Sequence, residues 1–274
     1  MSTRLTRNKI IRTFHPLFAV VAAWAVAAPP AAALNLTRLA PDEINALQEL
    51  LQTLEPVIAA SKQDGSANLL TWDALYQPLT PPQRALVDEL RTVKASTLGA
   101  TSHYFGEARP AQLVRVAPQS VVKQGQRALL DPQHLPRAAH DAYQQMMAAM
   151  EADLGKRLLI ESGYRSPAYQ LYLFLFYMPK HDYSVKETNR FVALPGHSEH
   201  GYPPRQAVDF INQDGVNGED HPEEFEALPE YQWLTQHAGA FGFVLSYPRD
   251  NPYHTAFEPW HWHYEPSPQS SARN

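Results

Sequence analysis

Near its C-terminus the chain reads Glu258-Pro259-Trp260-His261-Trp262-His263-Tyr264, and no other stretch constrains the fold as tightly. Residues two apart on a strand share a face. His261 and His263 therefore point one way, while Trp260, Trp262 and Tyr264 point the other. The aromatic face is that of an ordinary core. The histidine face belongs either to a solvated edge strand or to a polar site that gives both rings partners. Glu258 lies three positions before His261, on the far side of an unbroken strand. Pro259 removes a ladder donor and makes the backbone irregular, so Glu258 can swing towards the histidine side.

Upstream, Gly196-His197-Ser198-Glu199-His200 leads to Ala207-Val208-Asp209. Gln206 to Ile211 reads as a strand in which Val208 and Phe210 pack on one face, while Ala207 and Asp209 share the other. A carboxylate in so apolar a strand needs a partner, because an unpaired buried charge is costly. A metal ion is one such partner and an arginine is the other. His200, Asp209 and His261 are thus candidate metal ligands, with Glu258 a spare carboxylate. Catalytic zinc sites use three protein ligands and keep one position for water, which a spare glutamate can deprotonate. The chain has no cysteine, which excludes disulfides and thiolate ligands and leaves zinc to histidine and carboxylate. Ser198, two positions before His200, has a hydroxyl within reach of a substrate.

The first residues carry Arg4, Arg7, Lys9 and Arg12 with no acid, followed by an apolar run from Leu17 to Ala28 and the small residues Ala31-Ala32-Ala33. That is the layout of a signal peptide. The run is short against the roughly 20 residues of a membrane span, so cleavage after Ala33 is expected, with a retained anchor as the alternative. No arginine pair precedes the run, which points to general secretion. Cleavage removes four of the 23 basic residues and none of the 28 acidic ones, making the chain more acidic than its formal net charge of −5. An acidic exported chain is a poor nucleic-acid binder, since that binding runs on phosphate neutralisation. No later segment is long and apolar enough to cross a bilayer.

Pro41-Asp42-Glu43 opens a helix with Ile44, Leu47, Leu50, Leu51 and Leu54 at helical spacing. Thr80-Pro81-Pro82 opens another. A helix runs from Pro136 to about Leu154, with methionines as core filler and Gly155 as its stop. Arg157 to Ser162 is a strand, Gly163 to Pro167 a turn, Ala168 to Tyr177 a helix, Tyr231 to Ala240 a helix ended by Gly242, Phe243 to Tyr247 a strand, and Glu258 to Tyr264 the last strand. Helices precede a run of antiparallel strands, so the class is α+β.

These residues carry a resemblance. Ser198, His200, Ala207 and Asp209, then Glu258, Trp260 and His261, together with Ser162-Gly163-Tyr164-Arg165-Ser166 and Gln170, resemble the D-alanyl-D-alanine carboxypeptidase and dipeptidase metallopeptidases of the VanY and VanX kind. Phe241-Gly242-Phe243 and Tyr247-Pro248 resemble that family's penultimate strand. The resemblance implies a small antiparallel sheet with flanking helices carrying a zinc site, over residues 111–268. A signal peptide (1–33) and a helical N-terminal region (34–110) precede it, and a tail (269–274) follows. It implies that His200, Asp209 and His261 bind Zn2+, that Glu258 is the general base and that Arg165 binds a substrate carboxylate or oxyanion. Ser198 and Gln170 would shape the substrate pocket. The implied function is a zinc-dependent D-alanyl-D-alanine carboxypeptidase acting on peptidoglycan stem peptides by metal-activated water, in the periplasm or secreted. Alternatives are an endopeptidase or D,D-dipeptidase of the same fold, or a non-catalytic wall-peptide binding module. The stretch between His200 and Asp209 is two residues longer than in the family, with Arg205 where the family has glycine. Both ligands are expected to survive, with Arg205 adding bulk and charge beside the metal as a second cation for a free carboxylate.

Overall fold

The computed structural model describes residues 34–99, 105, 113–253 and 255–265. The expected signal peptide, its cleavage position, the 110/111 boundary, His254 and the tail lie outside the described residues. Helix α1 (Pro41–Asp64) starts at a proline, which needs no N–H partner there, and the Glu43 carboxylate accepts the Ala40 N–H at 2.6 Å. Its buried face is Leu47, Leu50, Leu54 and Ile58. Helix α2 (Trp72–Tyr76) is capped by the Thr71 hydroxyl. Helix α3 (Pro81–Thr92) opens with Gln83 accepting the Thr80 N–H at 2.9 Å and buries Leu86, Val87 and Leu90. These three helices draw most of their stability from the packing of their apolar faces. They share one core with Leu171, Phe174, Leu175 and Met178 from much later in the chain.

Two antiparallel ribbons follow, β1 (Leu113–Arg115) with β4 (His134–Pro136) and β2 (Ser120–Lys123) with β3 (Gln126–Leu129). Neither is anticipated by the sequence pattern, because strands this short carry too little alternation to read. Helix α4 (Arg137–Leu154) ends at Gly155, whose φ of 64° is the left-handed stop expected of it. The chain continues through β5 (Leu158–Ser162), α5 (Pro167–Tyr177), α6 (Val185–Thr188), β6 (Gln206–Asn212), α7 (Pro222–Glu226), α8 (Pro229–His237), β7 (Phe243–Leu245) and β8 (His261–Tyr264). The main sheet is four-stranded, in the order β5-β6-β8-β7, and every pairing is antiparallel.

Strand β6 is the axis of the molecule. Val208 and Phe210 pack with Tyr143, Met146, Met147 and Met150 of α4 and with Trp262 of β8. Ala207 and Asp209 point to the opposite face, as the alternation requires. Two expected boundaries move. The helix expected over Tyr231 to Ala240 starts at Pro229 and tightens into a 3-10 turn after His237. The last strand starts at His261 and not at Glu258, because residues 258–261 form a turn in which the His261 N–H donates to the Glu258 carbonyl at 3.1 Å. From Leu34 onward the chain forms one compact unit, and the N-terminal helices and α5 are two sides of the same core. Phe174 is fully buried in that core. Phe174→Ala is expected to cost about 3–5 kcal/mol. Denaturant unfolding followed by helix circular dichroism and by tryptophan fluorescence should give one shared transition.

Candidate active site

Asp209 sits in mid-β6, and His261, the first residue of β8, is directly opposite it in the ladder. His200 arrives from the 3-10 turn Glu199–Gly201 that precedes β6. His200 Nε2 is 3.1 Å from Asp209 Oδ2, and His261 Nδ1 is 2.9 Å from Asp209 Oδ1. The two rings stand at 83° with centroids 4.9 Å apart. One ligand atom from each residue falls within a sphere of contacts no longer than 4.8 Å.

The outer nitrogens show why the inner ones converge. His200 Nδ1 donates to the Gly163 carbonyl at 2.7 Å, which fixes the tautomer and leaves the Nε2 lone pair facing Asp209. His261 Nε2 lies 3.2 Å from Glu199 Oε2. His200 Nε2 and Asp209 Oδ1 are buried without a hydrogen-bond partner among the described residues, although each has an opposite number within ion-pair reach. Ligand atoms aimed at a common point, with the far side of each ring anchored, are the arrangement that metal sites use. The charges agree. His261 is surrounded by the carboxylates of Asp209, Glu199 and Glu258. Burial works against its charged form, but the charge and hydrogen bond of Asp209, the hydrogen bond to Glu199 and the charge of Glu258 outweigh that and push its pKa up to about 10. A cation on Nδ1 takes the place of that proton. Two imidazoles and a carboxylate are a donor set that suits zinc.

Glu258 occupies the turn before β8, its Oε2 3.5 Å from His261 Nδ1, and its N–H donates to the Tyr247 carbonyl at 3.1 Å. Pro259 breaks the strand as the sequence implies and brings this carboxylate to the histidine side. Burial pushes its carboxyl up to about 7. Arg165 lies in the turn between β5 and α5, and its N–H donates to the His200 carbonyl at 3.1 Å. Among the described residues no carboxylate comes within ion-pair distance of its guanidinium. Arg165, Ser198, Asp209, Glu258 and His261 all line one cleft of about 1210 Å³. The Ser198 hydroxyl accepts the His200 N–H at 3.3 Å, so it also braces His200. Gln170 does not join them. It is buried on α5, outside the cleft lining, and its Nε2 donates to the carbonyl of Ala193, which does line the cleft.

Arg205 is the one clear correction. The expectation that it stands beside the metal facing substrate is wrong. The longer His200–Asp209 stretch folds into two successive 3-10 turns, Glu199–Gly201 and Pro203–Arg205, which absorb the extra residues and aim Arg205 backwards. Its Nε donates to Glu199 Oε1 at 2.7 Å, and its NH1 is 3.5 Å from Glu265. Glu199 is the residue that sequence reasoning passed over. It is 3% exposed and receives hydrogen bonds from Arg205 and Ser246 while holding His261. Burial alone would raise its pKa, but the hydrogen bond and charge of His261 hold it well below the usual carboxylate range. Its position between Ser198 and His200 was the available clue. His263 shares the face of His261 but is one ladder step further on, against the Ser246 hydroxyl at 2.7 Å and away from Asp209. Tyr247 was also missed as a wall of the cleft; its ring centroid lies 4.7 Å from that of His261.

Residues 132–267 match a family model described as VanY, D-alanyl-D-alanine carboxypeptidase. The bifunctional D-Ala-D-Ala dipeptidase and D-Ala-D-Ala carboxypeptidase VanXYC of Enterococcus gallinarum is 31% identical over 157 residues, which is 51% of this chain and 78% of that protein. The putative carboxypeptidase YodJ of Bacillus subtilis is 29% identical over 140 residues, 49% of this chain and 48% of that protein, so the chain spans about half the length of this relative. Among solved structures, the LdcB LD-carboxypeptidase is 26% identical, with 61% of this chain and 74% of that chain covered and a TM-score of 0.46. The anchoring of His261 by Glu199 leads to a test. Glu199→Gln is expected to lower zinc affinity by about 10–100-fold, read by competition with a chelating dye, while His263→Ala leaves it near the original value.

Proposed function

Because the chain belongs to the VanY family of D-alanyl-D-alanine carboxypeptidases, we propose that it is a zinc-dependent hydrolase that removes the C-terminal D-alanine from peptidoglycan stem peptides, acting outside the cytoplasm. The observation that carries this reading is the convergence of His200, Asp209 and His261 on one point, with Glu258 and Arg165 in the same cleft, and with no carboxylate among the described residues in ion-pair reach of Arg165. His200, Asp209 and His261 would hold the ion. Lewis-acid chemistry, the polarisation of a carbonyl and the acidification of water, comes with a zinc ion bound there.

The chain's own residues supply the rest. Glu258 is poised near neutrality by burial, the range in which a general base is most effective. Its carboxylate takes a proton from the attacking water and returns it to the leaving amine. Arg165 offers a planar fork of donors that matches a carboxylate, and with no acid among the described residues within ion-pair distance of it, that fork is available for the substrate's terminus. The same feature favours a carboxypeptidase or dipeptidase over an endopeptidase, whose substrate has no free carboxylate at the scissile residue. The cleft, at about 1210 Å³, is large for a free dipeptide and suits a longer stem peptide. Ser198 lies on the cleft wall beside His200 and contributes a hydroxyl to the same surface. The export layout of residues 1–33 agrees with a substrate in the cell wall.

Mass spectrometry of peptidoglycan fragments incubated with the zinc-loaded protein tests the reaction. Loss of a single D-alanine from a pentapeptide stem is the expected outcome, and release of D-alanyl-D-alanine or cleavage within a cross-link would replace this reading. Glu258→Gln should slow turnover by at least about 10²-fold with zinc content unchanged, since Glu258 is assigned as base and not as ligand. Normal turnover in that variant would remove the mechanism, and lost zinc would make Glu258 a ligand.

A further inference from the structure

The segment from residue 34 to 98 contains no ligand or base, yet it reaches the turn that carries Arg165. That turn is short. Strand β5 ends at Ser162 and α5 begins at Pro167, so the chain between them has little room to adjust. Each residue of the turn is anchored from outside it. The Gly163 N–H donates to Gln133 Oε1 at 3.0 Å, the Tyr164 N–H to the His134 carbonyl at 2.7 Å and the Arg165 N–H to the His200 carbonyl at 3.1 Å. A Cβ on Gly163 would meet the His134 carbonyl oxygen at 2.6 Å, so the turn packs directly on that strand.

Ser166 is anchored by the N-terminal segment. Its N–H donates to the Asn68 carbonyl at 2.9 Å, and its hydroxyl donates to the Leu70 carbonyl at 2.6 Å. The Asn68 side chain continues the link: Oδ1 accepts from His134 Nδ1 at 3.1 Å, and His134 is the residue whose carbonyl holds Tyr164. Asn68, Leu70 and Ser166 are 4%, 5% and 8% exposed, so these bonds work in a low-dielectric setting where they are strong and costly to break. The connection between α1 and α2 is itself fixed by the core that those helices share with α5. Lys62, Ala67, Asn68 and Leu98 of the same segment line the cleft together with Arg165.

We propose that the connection over residues 67–70 positions Arg165, with Ser166 and Asn68 as the positioning residues, so that the N-terminal helical segment sets the site's affinity for the carboxylate end of its substrate. This rests on the reading of Arg165 as the carboxylate-binding group. The reason is geometric. A guanidinium discriminates a carboxylate only when its planar fork is held in register with both oxygens, and small misplacements of a positioning group have large effects.

The test is calorimetric binding of D-alanyl-D-alanine and of its C-terminal amide to the zinc-loaded full chain. The starting protein should prefer the free acid. Ser166→Ala should reduce that preference by about three- to tenfold, the size of one net hydrogen bond, with amide binding and zinc content unchanged. Ser166→Thr, which keeps the hydroxyl, should restore it. Asn68→Ala, outside the turn, should reduce it as well, and it decides the matter if Ser166→Ala does not fold. If both variants weaken acid and amide alike, their role is structural and the proposal is wrong. If Arg165→Ala abolishes the preference while Ser166→Ala and Asn68→Ala keep it, the positioning role alone fails. A preference that survives Arg165→Ala overturns the reading of Arg165 and the proposal with it.

Discussion

One carboxylate, largely shielded from water, organises this protein. Asp209 stands on the polar face of the central strand, with a histidine nitrogen about 3 Å away on either side (3.1 Å and 2.9 Å). Taking such a charge out of water is affordable only with compensating charge and good geometry. The surroundings of Asp209 meet that condition in layers. His200 and His261 face it directly, Gly163 and Glu199 hold the far side of each ring, and Arg205 and Ser246 hold Glu199. The negative charge gathered around His261 exceeds what the imidazole can neutralise, and a divalent cation at the convergence point would balance it.

This arrangement explains features that look unrelated along the chain. Gly163 has to lack a side chain because its strand neighbour lies against it, and its carbonyl is then free to orient His200. The lengthened loop after His200 leaves His200 and Asp209 facing each other, because its extra residues are taken up in two successive 3-10 turns before β6, and loop length costs little. The arginine that ends this loop is recruited to neutralise Glu199, so a residue that reads as a substrate-side cation becomes part of the support behind a ligand. The only cation with an unpaired head on the cleft side of the ligand cluster is then Arg165, among the described residues assigned to the site.

The N-terminal helices fit the same picture. Their apolar faces share a core with α5, the helix that begins immediately after the Arg165 turn. Packing of α1 to α3 against α5 therefore fixes the entrance to that helix and, through Asn68 and Leu70, the turn before it. The segment is a wall of the cleft and a brace for it, although it carries no reacting group.

Much of this was legible in the residues themselves. Period-two alternation fixed the faces of β6 and β8, since a strand has only two sides, and it placed Asp209, His261 and His263 on the polar one. Helix starts at Pro41 and Pro81 and the stop at Gly155 could be read because capping and proline geometry are local. The candidate ligand trio and the spare glutamate could be proposed from residue type and spacing. What the sequence could not decide were contacts between segments far apart in the chain: which acid anchors His261, where Arg205 points and what residues 34–98 are for. Those depend on strand register and on how a loop is folded over a ladder. A shift of one position in either exchanges the residue that faces the site for one that faces away, and only the assembled sheet, with its packed helices, fixes that register.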